Sequence, residues 1–262
     1  DKIHNMKVIA EEINIGLDSI IFVDDDKLNR EMMKKALPDV KVIELPDDSS
    51  LYLKTIMELN ELNTLHLSEE DKKKGEMYIG QRKRLELSKV TTDLTEYLSA
   101  LNMIVTIERA NQFTIPRISQ LTQKTNQFNV TTKRYQIEEI NAFSNNDSYL
   151  VISIKVEDKF GDNGITGVVI IDKDSKNADK NIVKNQKNTE KFVKEWKIDS
   201  FLLSCRILGR KVEETILAFI VEEAKKHNVT KIIGEFIPTK KNIPAKNFYK
   251  NNNFKLVTTI GE

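Results

Sequence analysis

Between Trp196 and His227 the chain changes periodicity in a way that fixes its local fold. Trp196 to Leu203 is rich in strand formers, whereas Val212, Ile216, Phe219, Ile220 and Ala224 recur at helical spacing up to His227. A strand that feeds a helix across a short turn marks an α/β chain. Such a junction points backbone N–H groups and the positive end of a helix dipole at whatever docks there. It also holds the only cysteine, Cys205, flanked by Arg206, Gly209 and Arg210. That field favours thiolate over thiol and would sharpen its nucleophilicity. The competing reading is a small buried apolar residue closing a strand.

A second α/β signal lies near the start. Ser19 to Val23 is a continuous apolar run, the mark of a parallel strand buried on both faces, and it stops at Asp24-Asp25-Asp26. Leu28 to Leu37 reads as a helix ended by Pro38, and Val40 to Leu45 as another strand. Strand, acidic turn, helix and strand form one unit of a doubly wound sheet. It is preceded by a helix over Lys7–Ile13 that Gly16 is placed to end. Leu51 to Leu65, a charged helix opened by Ser68 and reaching about Lys89, and Asp93 to Leu101 read as a helical connector.

From Met103 the pattern is mixed. Strands are predicted at Ile104–Glu108, Tyr149–Val156, Gly164–Ile171, Trp196–Leu203, Lys231–Ile237 and Lys255–Thr259. Helices are predicted at Ile115–Gln127, with Pro116 in the first turn, at Val212–His227 and around Ala245–Asn251. Lys159 to Gly164 has hairpin-turn chemistry. Half of the twenty residues from Asp172 to Lys191 are Lys or Asn and none is glycine, so that run reads as a solvated or disordered insertion. The expected organisation is residues 1–48, 49–101 and 102–262, with an insertion at 172–191.

Net charge is +1 over 262 residues, so no global field draws the chain to nucleic acid or an anionic membrane. One cysteine excludes an internal disulfide framework and fits a reducing compartment. With no apolar run of membrane-spanning length and no signal peptide, the expectation is a soluble cytoplasmic protein. Asp1 runs straight into a helical pattern without an initiator methionine, so the chain reads as cut from something longer.

Two sites are chemically suggestive. Asp24 and Asp25 end a buried strand, where open α/β sheets place ligands, and their oxygens suit Mg²⁺; the competing role is capping of the next helix, which falls to Asp26. Arg206-x-x-Gly209 between strand and helix is a small phosphate cradle. It is followed by Asn242-x-x-Ala245-x-x-Phe248-Tyr249-x-x-x-x-Phe254. This constellation resembles the GCN5-related N-acetyltransferase (GNAT) fold over Met103–Glu262. The resemblance implies that Arg206, Gly209 and Arg210 grip a coenzyme A pyrophosphate, with Asn242 and Tyr249 on the following helix. Lys211 stands where a third small residue belongs and Asn253 where a glycine usually precedes Phe254.

The acidic loop followed in order by Thr125-Asn126-Gln127-Phe128-Asn129, Phe160-Gly161-Asp162-Asn163-Gly164, Ser204-Cys205-Arg206 and Ile237-Pro238-Thr239-Lys240-Lys241-Asn242 resembles the FkbH-like family. Its members join a haloacid-dehalogenase (HAD) phosphatase-like domain to a GNAT-like domain. The implied activity loads a glyceryl unit: an acyl phosphate loses its phosphate, the acyl group is held as a thioester on an enzyme cysteine, and it passes to the phosphopantetheine thiol of an acyl-carrier protein. On this resemblance Asp24 and Asp25 match the acidic pair of the phosphatase-like domain. Lys2 is the candidate for the charge-neutralising lysine, Cys205 for the acyl-holding thiol, and Asn126 for a substrate contact. Asn129 and Asp162 have turn and capping duty as their competing role. No Asp-x-Asp-x-Thr precedes Lys2, so this chain alone is not expected to be a competent phosphatase. A basic docking surface for an acidic carrier is expected from Arg206, Arg210, Lys211, Lys240 and Lys241. A CoA-dependent acyltransferase and a non-catalytic docking module remain as alternatives.

Overall fold

The computed structural model describes residues 1–13, 15–62, 74–174 and 194–259. The chain divides into two compact units, Asp1–Leu101 and Asn102–Glu262.

In the first unit, α1 (Lys2–Ile13) precedes β1 (Ile21–Phe22), α2 (Lys27–Ala36) and β2 (Lys41–Val42). The strands pair in parallel, Ile21 with Lys41 and Phe22 with Val42, so the strand–acidic turn–helix–strand unit forms as its pattern requires. Both strands are shorter than their apolar runs, because each finds only the other as a ladder partner among the described residues. Phe22, Met33, Leu37 and Val40 make the small core beneath α2. The helical stretch from Leu51 is broken into a 3₁₀ turn at Ser49–Leu51, α3 (Tyr52–Met57) and a second 3₁₀ turn at Asn60–Leu62. The helix start expected at Ser68 lies outside the described residues; α4 (Lys74–Val90) and α5 (Leu94–Leu101) follow.

The second unit is a mixed α/β sheet. Its strands are β3 (Ile104–Arg109), β4 (Phe128–Asn129), β5 (Tyr149–Asp158), β6 (Gly161–Asp172), β7 (Glu195–Leu203) and β8 (Lys231–Gly234). They run in the order β3-β5-β6-β7-β4, antiparallel throughout, while β8 pairs with β7 in parallel. Alternation along the strands gives each face its own core. Ile152, Ile154, Val169, Ile171, Trp196 and Ile198 pack with α8 (Val212–Lys226) on one side. Val151, Val168, Ile170 and Leu202 pack with α6 (Ile115–Lys124) and α7 (Ile137–Ser144) on the other.

A bulge in β7 sets the rest. Ile170 pairs with Ser200 but Ile171 with Ile198, so Asp199 is an extra residue in the strand. The bulge flips the alternation, which is why Trp196 and Ile198 share a face with Phe201 and Leu203. It also divides the far edge of β7: β8 pairs along Glu195–Ile198 before it, and β4 along Leu202–Leu203 after it.

The structure departs from several sequence expectations. α6 ends at Lys124 rather than Gln127, because Thr125 turns extended to feed β4. β8 stops at Gly234 rather than Ile237, because Ile237 N–H donates to Val130 O (2.8 Å) instead of to β7. The last predicted strand forms no regular element among its described residues, with Leu256 and Val257 largely exposed. The helix expected around Ala245–Asn251 is a 3₁₀ turn (Ile243–Ala245) followed by α9 (Phe248–Asn251). Most of the 172–191 insertion lies outside the described residues.

Candidate functional site

The C-terminal end of β7 gathers four segments that are far apart in sequence. Phe128 and Asn129 of β4 pair with Leu203 and Leu202. Asn126 and Cys205 each lie two residues beyond the Phe128–Leu203 pair, at the same end of this antiparallel ladder. The N–H of Ser204 donates to Thr166 O of β6 (2.7 Å). Asn242, fully buried, donates from Nδ2 to Asn129 O and Ile237 O (both 2.9 Å), and its Oδ1 accepts from Thr239 N (2.7 Å). Asn242 is thereby the clasp between the β8 loop and β4.

Cys205 opens a 3₁₀ turn, Cys205–Ile207, and α8 begins only at Val212. The thiol therefore does not sit on the α8 N-terminus as the sequence suggested, and a three-residue turn carries little dipole of its own. Burial pushes its pKa up, against a smaller lowering by Arg206, so the protonated thiol is favoured. Arg206 Nε donates to Ser204 Oγ (3.3 Å). Gly209 has φ +76° in open space, a left-handed conformation that glycine adopts at low cost. Lys211 is also left-handed, at φ 57°, where a glycine would be at ease.

Arg210 is the clearest departure from expectation. The sequence placed it at a phosphate mouth, but it is 4% exposed. Its Nη1 lies 3.3 Å from Asp158 Oδ2, a carboxylate with no exposed side-chain surface, and its Nη2 donates to Arg206 O (2.6 Å). Asp158 Oδ1 in turn accepts from Phe160 N–H (2.9 Å). The ion pair thus ties the β5–β6 hairpin to the Arg206–Arg210 loop. Lys211, Lys240 and Lys241 are exposed and Arg206 partly so.

The first turn of α8 carries Glu213 and Glu214. Glu213 is partly buried and leaves a buried Oε2 without a hydrogen-bond partner. Burial raises its pKa, and Glu214 beside it adds to the rise.

Asn126 Oδ1 accepts from Arg134 Nη2 (2.5 Å), and Asn129 caps its own turn by accepting from Thr132 N (2.9 Å). Tyr249 is half-buried with its hydroxyl oxygen buried and unpartnered, and that desolvation pushes its pKa above the usual phenol range. Its ring covers Gly234, where an added Cβ would come within 2.4 Å of Tyr249 Cε1.

In the first unit, Lys2 Nζ donates to Asp24 Oδ2 (2.5 Å), while Asp24 Oδ1 accepts from Asp26 N (3.1 Å) and Asn29 Nδ2 (3.3 Å). The Lys2 bond holds the Asp24 carboxyl below the ordinary aspartate range. Arg30 Nη1 donates to the backbone oxygens of Asp24 and Asp25 (both 2.9 Å), and Asp26 caps α2. Both Asp24 oxygens are engaged, and among the described residues no three His, Cys, Asp or Glu side chains gather as metal ligands. This arrangement does not fit Mg²⁺ unless Lys2 is displaced.

Sequence reasoning missed β4 and α7. A two-residue strand has too little pattern to read, but α7 was signalled by Gln136 and Glu139, which form a reciprocal capping box before Ile137 and Ile140. The Tyr135–Asp199 hydrogen bond (2.6 Å), with Ser200 and Lys133 on the same carboxylate, was also missed, because it depends on the bulge.

No family model and no curated protein matches the chain. It is similar to solved structures. One is a ribosomal-protein-alanine N-acetyltransferase from Brucella melitensis biovar Abortus, with 9% identity, 60% of this chain and 96% of that one covered, and TM-score 0.42. Another is a GNAT family acetyltransferase from Staphylococcus aureus, with 13% identity, 60% and 97% covered, and TM-score 0.39. A third is AAC(6')-Iy in complex with a CoA bisubstrate analogue, with 7% identity, 61% and 96% covered, and TM-score 0.43. No helix among the described residues is long and apolar enough to cross a membrane.

Proposed function

We propose that the chain is the C-terminal part of an FkbH-like acyl-transfer protein, which moves a glyceryl-type acyl group from an acyl phosphate to the thiol of an acyl-carrier protein. The observation that carries this reading is the meeting of all four sequence motifs at one strand end. Phe128 and Asn129 of the first motif pair with β7, Ser204 bonds to Thr166 beyond the hairpin motif, and Asn242 of the last clasps Asn129. The hairpin motif is joined to the Arg206–Arg210 loop through Asp158.

In this reading the Cys205 sulfur attacks the acyl carbon, the bond to the phosphate oxygen breaks, and inorganic phosphate leaves. The carrier thiol then attacks the thioester and Cys205 regains its proton. Burial keeps Cys205 protonated at rest, so the step needs a base to take the thiol proton as the carbonyl is attacked. Exposed Lys211, Lys240 and Lys241 suit an acidic carrier surface. Residues 1–48 belong, on this proposal, to a HAD-like domain, with the Lys2–Asp24 contact in support. A second reading, a CoA-dependent GNAT-type acyltransferase, is favoured by the mixed sheet and its parallel β7–β8 pair, which separates at Asp199.

The test is intact-mass spectrometry of the full-length protein incubated with a glyceryl acyl phosphate, wild type beside Cys205→Ser. An adduct on wild type that vanishes in the variant is expected. An adduct that survives in Cys205→Ser moves the thioester elsewhere, and none on either removes glyceryl loading.

A further inference from the structure

Coenzyme A offers a protein two handles: a diphosphate, which suits a helix N-terminus, and an extended arm with two amides, which can pair with a strand edge. In this fold the natural places for them are the start of α8 and the gap that opens where β8 leaves β7. The chain itself fills the second place and makes the first acidic.

The gap is filled by main chain. Beyond the bulge, Phe128 and Asn129 take the edge of β7, Val130 N–H donates to Phe201 O (3.1 Å), and Thr131 Oγ1 donates to Asp199 O (2.9 Å). On its other side the same segment accepts from Ile237 N–H at Val130 O and from Asn242 Nδ2 at Asn129 O. Residues 128–131 are therefore a segment wedged between β7 and the run after β8, bonded to both. An incoming amide arm would have to displace these bonds before making its own.

The anion seat is acidic. Glu213 and Glu214 put two carboxyls in the first turn of α8. The arginine nearest in sequence, Arg210, is turned inward onto Asp158 and Arg206 O. A diphosphate would meet like charge at the place where it needs donors.

We infer that this domain does not take coenzyme A, because its own residues 128–131 occupy the place of the amide arm and the first turn of α8 presents carboxyls where the diphosphate needs donors. This goes beyond the proposed function and stands or falls separately from it: glyceryl loading could fail while CoA is still excluded.

The test uses the whole chain, with emission of Trp196 as the check that it is folded. Isothermal titration with CoA and with acetyl-CoA is expected to give no saturable heat. Hydrogen exchange is expected to find the Val130 and Ile237 amides as protected as those of β6, with or without CoA. Saturable CoA binding to the wild type would overturn the inference, and so would rapid exchange at Val130, which would mean the wedge is open. The paired variant Glu213→Gln with Asn242→Ala removes one carboxyl from the first place and the clasp from the second. Weak CoA binding confined to that variant would support the inference, whereas equal binding by the wild type would sink it.

Discussion

At the scale of single residues, the candidate site is held by polar groups that have little freedom to do anything else. The Arg210–Asp158 pair is the strongest case, since removing one partner strands a buried charge. Arg210→Ala is expected to cost about 3–5 kcal/mol in urea unfolding, more than a surface arginine would. Gly234→Ala drives a Cβ into the Tyr249 ring and is expected to cost about 1–3 kcal/mol. Glu213 gives the stability a pH dependence. Its folded pKa lies above the ordinary glutamate value of 4.5, so the folded state binds its proton more tightly than the unfolded state. The contribution is fully favourable below the unfolded value and is lost as pH rises through the raised folded value. Glu213→Gln should therefore stabilise the protein relative to wild type near neutral pH, and the advantage should shrink on acidification, as read from Tm against pH. The Cys205 thiol behaves in the same sense. Its alkylation by iodoacetamide at pH 8 is expected to be slower in the native protein than in urea, and equal rates would show that burial does not govern it.

At the scale of elements, the decisive feature is the Asp199 bulge. One extra residue lets Trp196, Ile198, Phe201 and Leu203 share a face, and it marks where β7 changes neighbours from β8 to β4. Deleting Asp199 would restore strict alternation and rotate Trp196 and Ile198 out of the core. The expected outcome is a red shift of the fluorescence of Trp196, the chain's only tryptophan and 1% exposed in the native fold. Strand and helix existence was legible wherever the pattern ran long, as in Tyr149–Asp158 and Val212–Lys226. Bounds failed where tertiary contacts intervened. Nothing in Ile237 itself says that its N–H will turn to Val130.

At the scale of the whole molecule, the break at Leu101/Asn102 separates two units that each carry their own buried clusters. Residues 102–262 expressed alone are expected to unfold in one cooperative transition, followed by the emission of Trp196. A transition in several steps would show that this unit does not fold as one.

What the sequence determined by itself was the periodicity and the chemistry: which runs alternate or repeat every three to four residues, and where cysteine, arginine and acid gather. Those are local properties, written in residue order, and they were enough for the α/β class, the strand–loop–helix at Cys205 and the acidic turn. What only the tertiary structure decided was what each polar group faces. Arg210 turned inward to Asp158, Asn242 became a clasp on Asn129, and the Cys205 thiol was separated from the α8 N-terminus. A side chain's partner is set by segments far away in sequence, and here by one extra residue in β7, so no local pattern could carry that information.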